Sequence, residues 1–301
     1  MGASIPALRL GAVSYINTVP LLCELPEVVP GHGCRLECQL APPAELCRML
    51  REGALDVALI SSAEFLEGDY RQISSAGIGA SREVLSVRLF SRVPVGQVRR
   101  VLRDPHSRAS NALLRVLIER FGVLPGPVEL MDAGEAMGRR RPRVWQDAEA
   151  LLEEHEADAV LLIGDSALQV LGGAPVEVDL AGAWISATGL PFTFAVWAAR
   201  RELPADMADA MGGVLQRAME EGVRQLPSIA LRVGREVARG LSSTLVEEYL
   251  LHRIDFALTA QHRAGMKLFG ELLRAEGDAP QEHLVGRHDE AGLLPVSRVC
   301  D

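Results

Sequence analysis

Small polar side chains follow several strand-like apolar runs of this sequence, at the points where helices are predicted to begin. The first group, Ser14, Tyr15 and Asn17, lies in the turn of "LGAVSYINTVPLL", after a strand predicted over residues 8–13. The other junctions carry Ser61 and Ser62 after "DVALI", Ser107, Arg108, Ser110 and Asn111 after "RRVLRD", and Asp165 after "DAVLLIG". Hydroxyl and amide groups beside the free N–H groups of a helix start can bind an anion. Two opposed lobes with such junctions would hold a dicarboxylate.

Helix capping is the alternative explanation, because Ser, Asn and Asp also satisfy the first N–H groups of ordinary helices. Capping accounts for any single junction, whereas four at the same edges of two sheets favour a binding site. For Arg108, a plain surface position is the alternative to a carboxylate contact. Further candidates are Ser86 in "EVLSVRLFS" and the pair Thr188 and Gly189 in "ATGLPF", where a plain turn would use the same residues.

Motifs for a nucleotide, a metal or an activated nucleophile are missing. The sequence has no Walker loop, no GxGxxG after a strand, no HExxH and no GxSxG, the patterns that mark such sites. Among the seven histidines none has a metal-spaced partner, and only His106 lies in a candidate loop. His106 is either a general base or a surface or capping residue. We therefore expect a site of polar binding groups with no cofactor and no metal.

Composition and charge exclude some classes of partner. The chain has 301 residues and a net charge of -9, which argues against nucleic acid because phosphate binding needs a basic face. Its one basic cluster, "RRRPR" at residues 139–143, is predicted to be a solvated loop. No uncharged apolar run approaches the roughly 18 residues of a membrane-spanning helix, and the N-terminus lacks the pattern of a secretory signal. We expect a small-molecule ligand, no membrane contact and a cytoplasmic location.

Strand-like runs alternate with helical patterns over the first two thirds of the chain, which predicts an α/β fold with mostly parallel, covered sheets. Residues 1–88 form a first lobe, residues 89–191 a complete second lobe, and residues 192–301 return to the first lobe with a largely helical part. The strands "EVLSVRLFS" and "PFTFAVWAA" would be the two crossings. Two crossings form a hinge, so the ligand is expected in the cleft between the lobes.

The stretches "GAVSYINTVPL", "DVALISSAEF", "SRASNALLRVL", "IGDSAL" and "TGLPFTFAVW" closely resemble, in order and spacing, the chorismate dehydratases of the futalosine route of menaquinone biosynthesis. The similarity extends from about residue 8 to residue 275. It implies a two-lobed, type II periplasmic-binding-protein-like fold with a central cleft, without export. It also implies the loss of water from chorismate to give 3-[(1-carboxyvinyl)oxy]benzoate. A sibling enzyme of the same fold, the dihydroxynaphthoate synthase, is the alternative within this resemblance. It has a stretch similar to "SPCPNDT" at the first loop, whereas this chain has "VSYINTVP", which favours the dehydratase.

The implied reaction gives the candidate residues separate roles. Donors at the start of the second-lobe helix (Ser107, Ser110, Asn111) would hold the ring carboxylate as negative charge develops on it. Asn17 is the predicted catalytic residue, because a neutral amide can donate to an anion and accept from a hydroxyl; the alternative is an Asn that only shapes the turn. The proton acceptor is either the substrate's enolpyruvyl carboxylate or His106. We expect a monomer or a homodimer. The alternative function is that of a protein that only binds or senses an aromatic dicarboxylate.

Overall fold

The computed structural model describes residues 7–134, 137, 141–236, 240–275 and 294–295. Its strands are β1 Ala7–Ala12, β2 Val28–Val29, β3 Cys34–Leu40, β4 Val57–Ser61, β5 Tyr70–Ala80, β6 Val87–Ser91, β7 Arg100–Arg103, β8 Glu129–Asp132, β9 Ala159–Ile163, β10 Val176–Asp179, β11 Phe192–Arg200, β12 Asp255–Ala257 and β13 Leu294–Pro295. Its α-helices are α1 Val19–Leu22, α2 Pro43–Arg51, α3 Ser62–Glu67, α4 Arg108–Phe121, α5 Trp145–Glu154, α6 Gly164–Val170, α7 Leu180–Thr188, α8 Ala205–Arg224, α9 Leu226–Glu236, α10 Ser243–His252 and α11 Ala260–Arg274. Single 3-10 turns span Ile16–Thr18 and Val95–Gln97.

The larger sheet has eight strands in the order β12-β5-β11-β4-β1-β3-β13, with β2 paired to β3. Strand β1 runs parallel to β3 and β4, whereas β11 is antiparallel to both of its neighbours, β4 and β5. All five residues of β4 are buried, as expected for a central strand covered on both faces. This sheet takes strands from both halves of the chain and forms the first lobe.

The smaller sheet has five strands in the order β10-β6-β9-β7-β8 and forms the second lobe. Strand β7 runs parallel to β8 and β9, and β6 is antiparallel to β9 and β10. The five apolar residues of β9 are all buried. Among the described residues no strand pairing joins the two sheets, so the chain forms two lobes.

The chain crosses from the first lobe to the second just before β6. A strand is predicted over residues 83–91, but it begins only at Val87 because the preceding segment turns. Leu85 has a φ of 65°, a left-handed conformation that is costly for a residue with a side chain. The carboxylate of Asp179 accepts hydrogen bonds from the N–H groups of Val84 (3.1 Å) and Leu85 (2.8 Å) and holds this turn.

The return crossing runs through α7 into β11. Strand β6 belongs to the smaller sheet and β11 to the larger one. The segments that precede these two strands, rather than the strands themselves, cross between the lobes. Trp184 of α7 packs edge to face against Phe192 of β11 and Phe269 of α11, with ring centroids 5.5 and 5.9 Å apart. This aromatic cluster fixes the second lobe to the first. None of the helices in the described part of the chain has the length and apolar character needed to cross a membrane.

Candidate active site

A cavity lies between the two lobes, where strand ends and helix starts of both sheets meet. We call it the interlobe cavity, and it is lined by Val13, Tyr15, Asn17, Pro43, Leu59, Ser61, Ile78, Val84, Ser86, Val87, Ser107, Ala109, Ser110, Ile163, Gly164, Phe194 and Ala195. None of these lining residues carries a formal charge at neutral pH. The polar part of the wall consists of hydroxyl and amide groups, so the donors that it presents are neutral.

The structure brings together six of the thirteen predicted site residues in this wall. They are Tyr15, Asn17, Ser61, Ser86, Ser107 and Ser110. The other seven do not belong to the lining residues; they are Ser14, Ser62, Arg108, Asn111, Asp165, Thr188 and Gly189. The roles proposed for all thirteen toward a ligand stay predictions.

The turn after β1 places Asn17 in the wall, within the 3-10 turn Ile16–Thr18. Its side chain is only 8% exposed, and its amide Nδ2 donates a hydrogen bond to the hydroxyl of Tyr249, 2.9 Å away. The amide Oδ1 accepts a long bond of 3.4 Å from the Thr18 hydroxyl. Asn17 is thus held by α10 from the distant helical part of the chain.

The start of α4 supplies a second polar wall. Ser107 is the N-cap, and its hydroxyl accepts a hydrogen bond from the N–H of Ser110 at 3.1 Å. The same hydroxyl donates to the Ser110 Oγ at 2.7 Å. Because Ser107 gives its hydrogen to Ser110, the hydrogen of Ser110 remains available for a ligand. Ser107 thus caps α4, and the same helix start lines the cavity; its role in binding a ligand stays a prediction.

Ser61 and Ser86 present their hydrogens in the same way. Ser61 is the N-cap of α3 and accepts from the N–H of Glu64 at 3.2 Å. The Ser86 hydroxyl accepts from the Tyr249 hydroxyl at 2.8 Å. Three hydroxyls of the wall, those of Ser61, Ser86 and Ser110, each accept one bond from the protein and can donate to an anionic oxygen.

The junction between β9 and α6 brings the second lobe against Tyr15. Gly164 has a φ of 60°, and a Cβ atom there would lie 2.8 Å from ring carbons of Tyr15. Its N–H donates to the backbone oxygen of Ser86 at 2.8 Å. Burial raises the pKa of the Tyr15 phenol well above its usual range, so this ring is a neutral part of the wall.

Arg108 and Asp165 join the lobes outside the lining of the cavity. The Arg108 guanidinium at the start of α4 forms ion pairs with Glu64 and Glu67 of α3. The Asp165 carboxylate accepts a hydrogen bond from the N–H of Ile16 at 3.3 Å. Burial raises the pKa of Asp165 to about 6, against the opposing effects of that N–H and of the Arg141 charge. Both side chains thus connect the second lobe to the first.

The remaining predicted site residues lie outside the cavity lining, and their contacts, where they have any, are local. The Asn111 amide donates to the backbone oxygen of Asp104 at 2.7 Å. The Thr188 hydroxyl donates to the Trp184 oxygen, and Gly189 ends α7 in a left-handed conformation. Ser14 is exposed, and the buried hydroxyl of Ser62 has no hydrogen-bond partner among the described residues.

Arg141, in the cluster predicted to be a solvated loop, departs from that prediction. Its guanidinium forms an ion pair with the carboxylate of Asp104 at 2.5 Å, and the Asp104 side chain is fully buried. A buried carboxylate needs a paired cation, which explains why this arginine turns inward. Arg139 and Arg140 lie outside the described residues.

His106 donates its backbone N–H to the same Asp104 carboxylate at 2.9 Å and is not among the residues lining the cavity.

Sequence reasoning missed Tyr249, whose hydroxyl joins two residues of the wall. Asn17 and Tyr249 are 232 positions apart, and no local pattern in "EEYLLH" marks a site. The one available signal is general: a buried tyrosine hydroxyl needs a hydrogen-bond partner.

In the described part of the chain, no group of three or more His, Cys, Asp or Glu side chains is arranged to hold a metal ion.

Comparison with known proteins places this geometry in a family. Residues 8–275 match the family model described as menaquinone biosynthesis. A chorismate dehydratase from Thermus thermophilus is 32% identical over 289 residues, covering 88% of this chain and 94% of that protein.

Solved structures support the fold. Protein AF1704 from Archaeoglobus fulgidus superposes with a TM-score of 0.68 at 18% identity, covering 91% of this chain and 98% of that one. The alkanesulfonate-binding protein from Xanthomonas axonopodis pv. citri, bound to MOPS, has a TM-score of 0.59 at 18% identity, covering 93% and 96%. These likenesses confirm the predicted periplasmic-binding-protein-like fold.

Proposed function

The chain belongs to the menaquinone biosynthesis family, and we propose that the interlobe cavity is the site where it dehydrates chorismate. The enzyme is a chorismate dehydratase: the family match and the Thermus thermophilus relative support both this activity and its place in menaquinone biosynthesis. One observation carries the assignment of the site. Three hydroxyls with available hydrogens and the Asn17 amide meet in a cavity that has no charged lining residue.

Chorismate brings two carboxylates, a leaving hydroxyl and a hydrogen on the neighbouring ring carbon. When the C–H bond breaks, its electrons complete the aromatic ring as the C–O bond breaks, and the proton and the hydroxide leave as water. The product is 3-[(1-carboxyvinyl)oxy]benzoate. Charge that develops during proton removal spreads through the ring toward the ring carboxylate. Hydroxyls fixed around that carboxylate stabilise the transition state more than the bound substrate.

The start of α4 is the site that we assign to the ring carboxylate. Ser110 is 2% exposed and keeps its hydrogen for a ligand. The first N–H groups of this 14-residue helix point toward its N-terminal end, where the helix dipole favours an anion. A cation at this position would bind the product as tightly as the transition state. Neutral donors of this kind bind a carboxylate without that effect.

Asn17 is assigned to the leaving hydroxyl. Its Nδ2 has a second hydrogen beyond the one given to Tyr249, and within the described part of the chain its Oδ1 accepts only a long bond from Thr18. An amide with one free donor and a weakly used acceptor can hold the substrate hydroxyl in the geometry for departure.

The proton acceptor in this proposal is the enolpyruvyl carboxylate of the substrate. The lining described for the cavity contains no His, Asp, Glu or Lys side chain, which disfavours His106. An internal carboxylate close to the ring hydrogen has the high effective concentration that makes such a proton transfer fast.

The wider assignments follow from the sequence. The futalosine route is the pathway that we propose for the product, on the resemblance of the five quoted stretches. The proposed lobes are residues 1–88 with 192–301 and residues 89–191. We place the enzyme in the cytoplasm, as a monomer or a homodimer.

Incubation with chorismate tests the proposal directly. Purified protein is mixed with chorismate, and the product is separated by chromatography and identified by mass. Loss of 18 mass units in an aromatic product, abolished in heat-denatured protein, is the expected result. Saturable binding of chorismate without turnover would instead support the alternative, a protein that binds or senses an aromatic dicarboxylate. Conversion of a substrate other than chorismate would instead support the sibling enzyme, the dihydroxynaphthoate synthase.

A further inference from the structure

Tyr249 lies on α10, in the helical part of the chain that supplies no predicted site residue. Its side chain is 1% exposed, and its hydroxyl bonds to two residues of the cavity wall. These are Asn17, from the turn after β1, and Ser86, from the crossing before β6. One phenol oxygen therefore links the first loop of the chain to the hinge.

The Asn17 amide nitrogen can only donate, which leaves the phenol hydrogen free for Ser86. The Asn17 amide donates to the phenol oxygen at 2.9 Å, and the phenol donates to the Ser86 Oγ at 2.8 Å. A tyrosine hydroxyl has a single hydrogen. Once that hydrogen is given to Ser86, the Ser86 hydrogen has to point elsewhere, and the open side of Ser86 is the interlobe cavity.

The phenol stays neutral in this place. Burial raises the pKa of Tyr249 far above its usual range, so the group does not exchange protons with a substrate near neutral pH. A neutral, immobile hydroxyl can fix the orientation of its neighbours.

From these contacts we infer that Tyr249 is a positioning residue, which orients the Asn17 amide and the Ser86 hydroxyl toward the substrate. Preorganised donors lower the barrier because they need no rearrangement as charge develops. Without the phenol, Ser86 loses the bond that directs its hydrogen, and Asn17 regains rotational freedom. The effect should fall on turnover rather than on substrate binding.

The inference rests on the proposed dehydration of chorismate, and Tyr249→Phe with a matched control tests it. We expect kcat for chorismate to fall about 10- to 100-fold while KM changes less than threefold. Tyr70→Phe is the control, because the Tyr70 hydroxyl is also largely buried but donates to Glu64, outside the cavity. The control variant should keep kcat within twofold of the wild type.

A double-mutant cycle separates positioning from mere stability. Because Tyr249 acts through both Asn17 and Ser86, adding Tyr249→Phe to the double variant Asn17→Ala/Ser86→Ala should cost less than threefold further in kcat. A structural role would instead give the full loss in both backgrounds. Full additivity, or a Tyr249→Phe enzyme with kcat within twofold of the wild type, overturns the inference.

Two further measurements keep the test decisive. If Tyr249→Phe cannot be purified as folded protein, Ser86→Ala tests the other end of the same chain of bonds. We expect a loss of at least tenfold in kcat, and wild-type kcat in that variant overturns the role of Tyr249. The proposed function fails separately, when the wild type itself produces no product from chorismate.

Discussion

Asn17 faces an uncharged cavity with one free amide hydrogen and a weakly used oxygen, so its proposed role depends on its being neutral. The carboxylate that replaces this amide in Asn17→Asp has nearly the same shape and carries a negative charge. The pair of substitutions Asn17→Ala and Asn17→Asp therefore separates the loss of hydrogen bonds from the addition of charge.

We predict that Asn17→Asp lowers kcat/KM more than Asn17→Ala. The alanine removes a donor and an acceptor from a desolvated site, which costs about 1 to 3 kcal/mol. The aspartate sets a charge beside a dianionic substrate, and a like-charge pair at about 4 Å costs about 4 kcal/mol at an effective dielectric of about 20. Added salt should partly restore only the Asp variant, because screening acts on charge. Steady-state kinetics with circular dichroism measures both; an Ala variant more damaged than Asp contradicts the assignment.

Asp165 gives a prediction about pH. Burial raises the pKa of this carboxyl to about 6 in the folded protein, above the roughly 3.9 of an unfolded aspartate. The folded protein therefore binds the proton more tightly. The stability that this proton provides is complete below the unfolded pKa and is lost as pH rises through about 6.

We expect Asp165→Asn to gain stability relative to the wild type as pH rises. An asparagine carries no charge at any pH and keeps an oxygen for the N–H of Ile16. The difference in free energy of unfolding between variant and wild type should increase by about 1.4 kcal/mol from pH 5 to pH 8. Urea unfolding at several pH values measures it. A difference that does not change with pH would show that Asp165 titrates alike in the folded and unfolded chains.

Sequence reasoning located the polar junctions but could not give the direction of each side chain. Ser107 and Ser110 occur in one helix turn with Arg108, yet the serines face the cavity and the arginine faces Glu64. Residue type shows that a junction is polar. Which side of a helix start faces a cleft depends on the packing of α4 against the other lobe, and that packing involves residues more than 40 positions away.

At the scale of secondary structure, the start of α6 is a point where the second lobe packs directly against Tyr15 of the first lobe. Gly164 begins this helix, and Gly172 lies just beyond its end. Both have positive φ, of 60° and 77°. A Cβ at Gly164 meets the Tyr15 ring, whereas a Cβ at Gly172 meets nothing within 4 Å.

We predict that Gly164→Ala is the more damaging substitution. In both variants the left-handed backbone costs about 1 to 2 kcal/mol. Only in Gly164→Ala does the new methyl group also push Tyr15, so it should lose further stability and at least tenfold in kcat/KM. Gly172→Ala should keep wild-type kinetics. Thermal unfolding and steady-state assays on the two variants compare these effects, and equal behaviour of the two argues against a tight Tyr15 contact.

Most elements of the α/β pattern were predictable because their apolar residues repeat with strand or helix periods. Strand β5, "YRQISSAGIGA", was not predicted. It contains Gly77 and Gly79, which weaken a strand in isolation. In the folded protein these glycines are required by their neighbours, since a Cβ at either position would approach Leu258 or His262 to about 2.6 Å. A requirement set by distant residues has no periodic signature.

For the whole molecule, the ion pairs of Arg108 form a bridge between lobes. Arg108 is on the second lobe, and its partners Glu64 and Glu67 are on the first. Contacts of this kind exist only while the lobes are together, so they favour the closed state over an open one. Arg51 also pairs with Glu64, at 2.9 Å, but within the first lobe.

We predict that Arg108→Ala raises KM roughly fivefold and changes kcat little, because loss of a partly exposed ion pair costs about 1 kcal/mol. Arg51→Ala is the control and should leave KM within twofold. Small-angle scattering should show that wild-type protein becomes more compact at saturating product. Arg108→Ala should need more product for the same change. If KM rises equally in both variants, the ion pair does not act on lobe closure.

The position of β11 in the larger sheet has a consequence for the order in which the chain folds during its synthesis. Among the strands of the described residues, β5 pairs with β11 and β12 alone, and β11 begins at Phe192. All five strands of the smaller sheet are complete by Asp179, so the second lobe can fold on the ribosome before the first. At about 5 to 20 residues per second, β5 waits on the order of ten seconds without a neighbour. The glycines that make β5 a poor strand alone would then protect the nascent chain from aggregation.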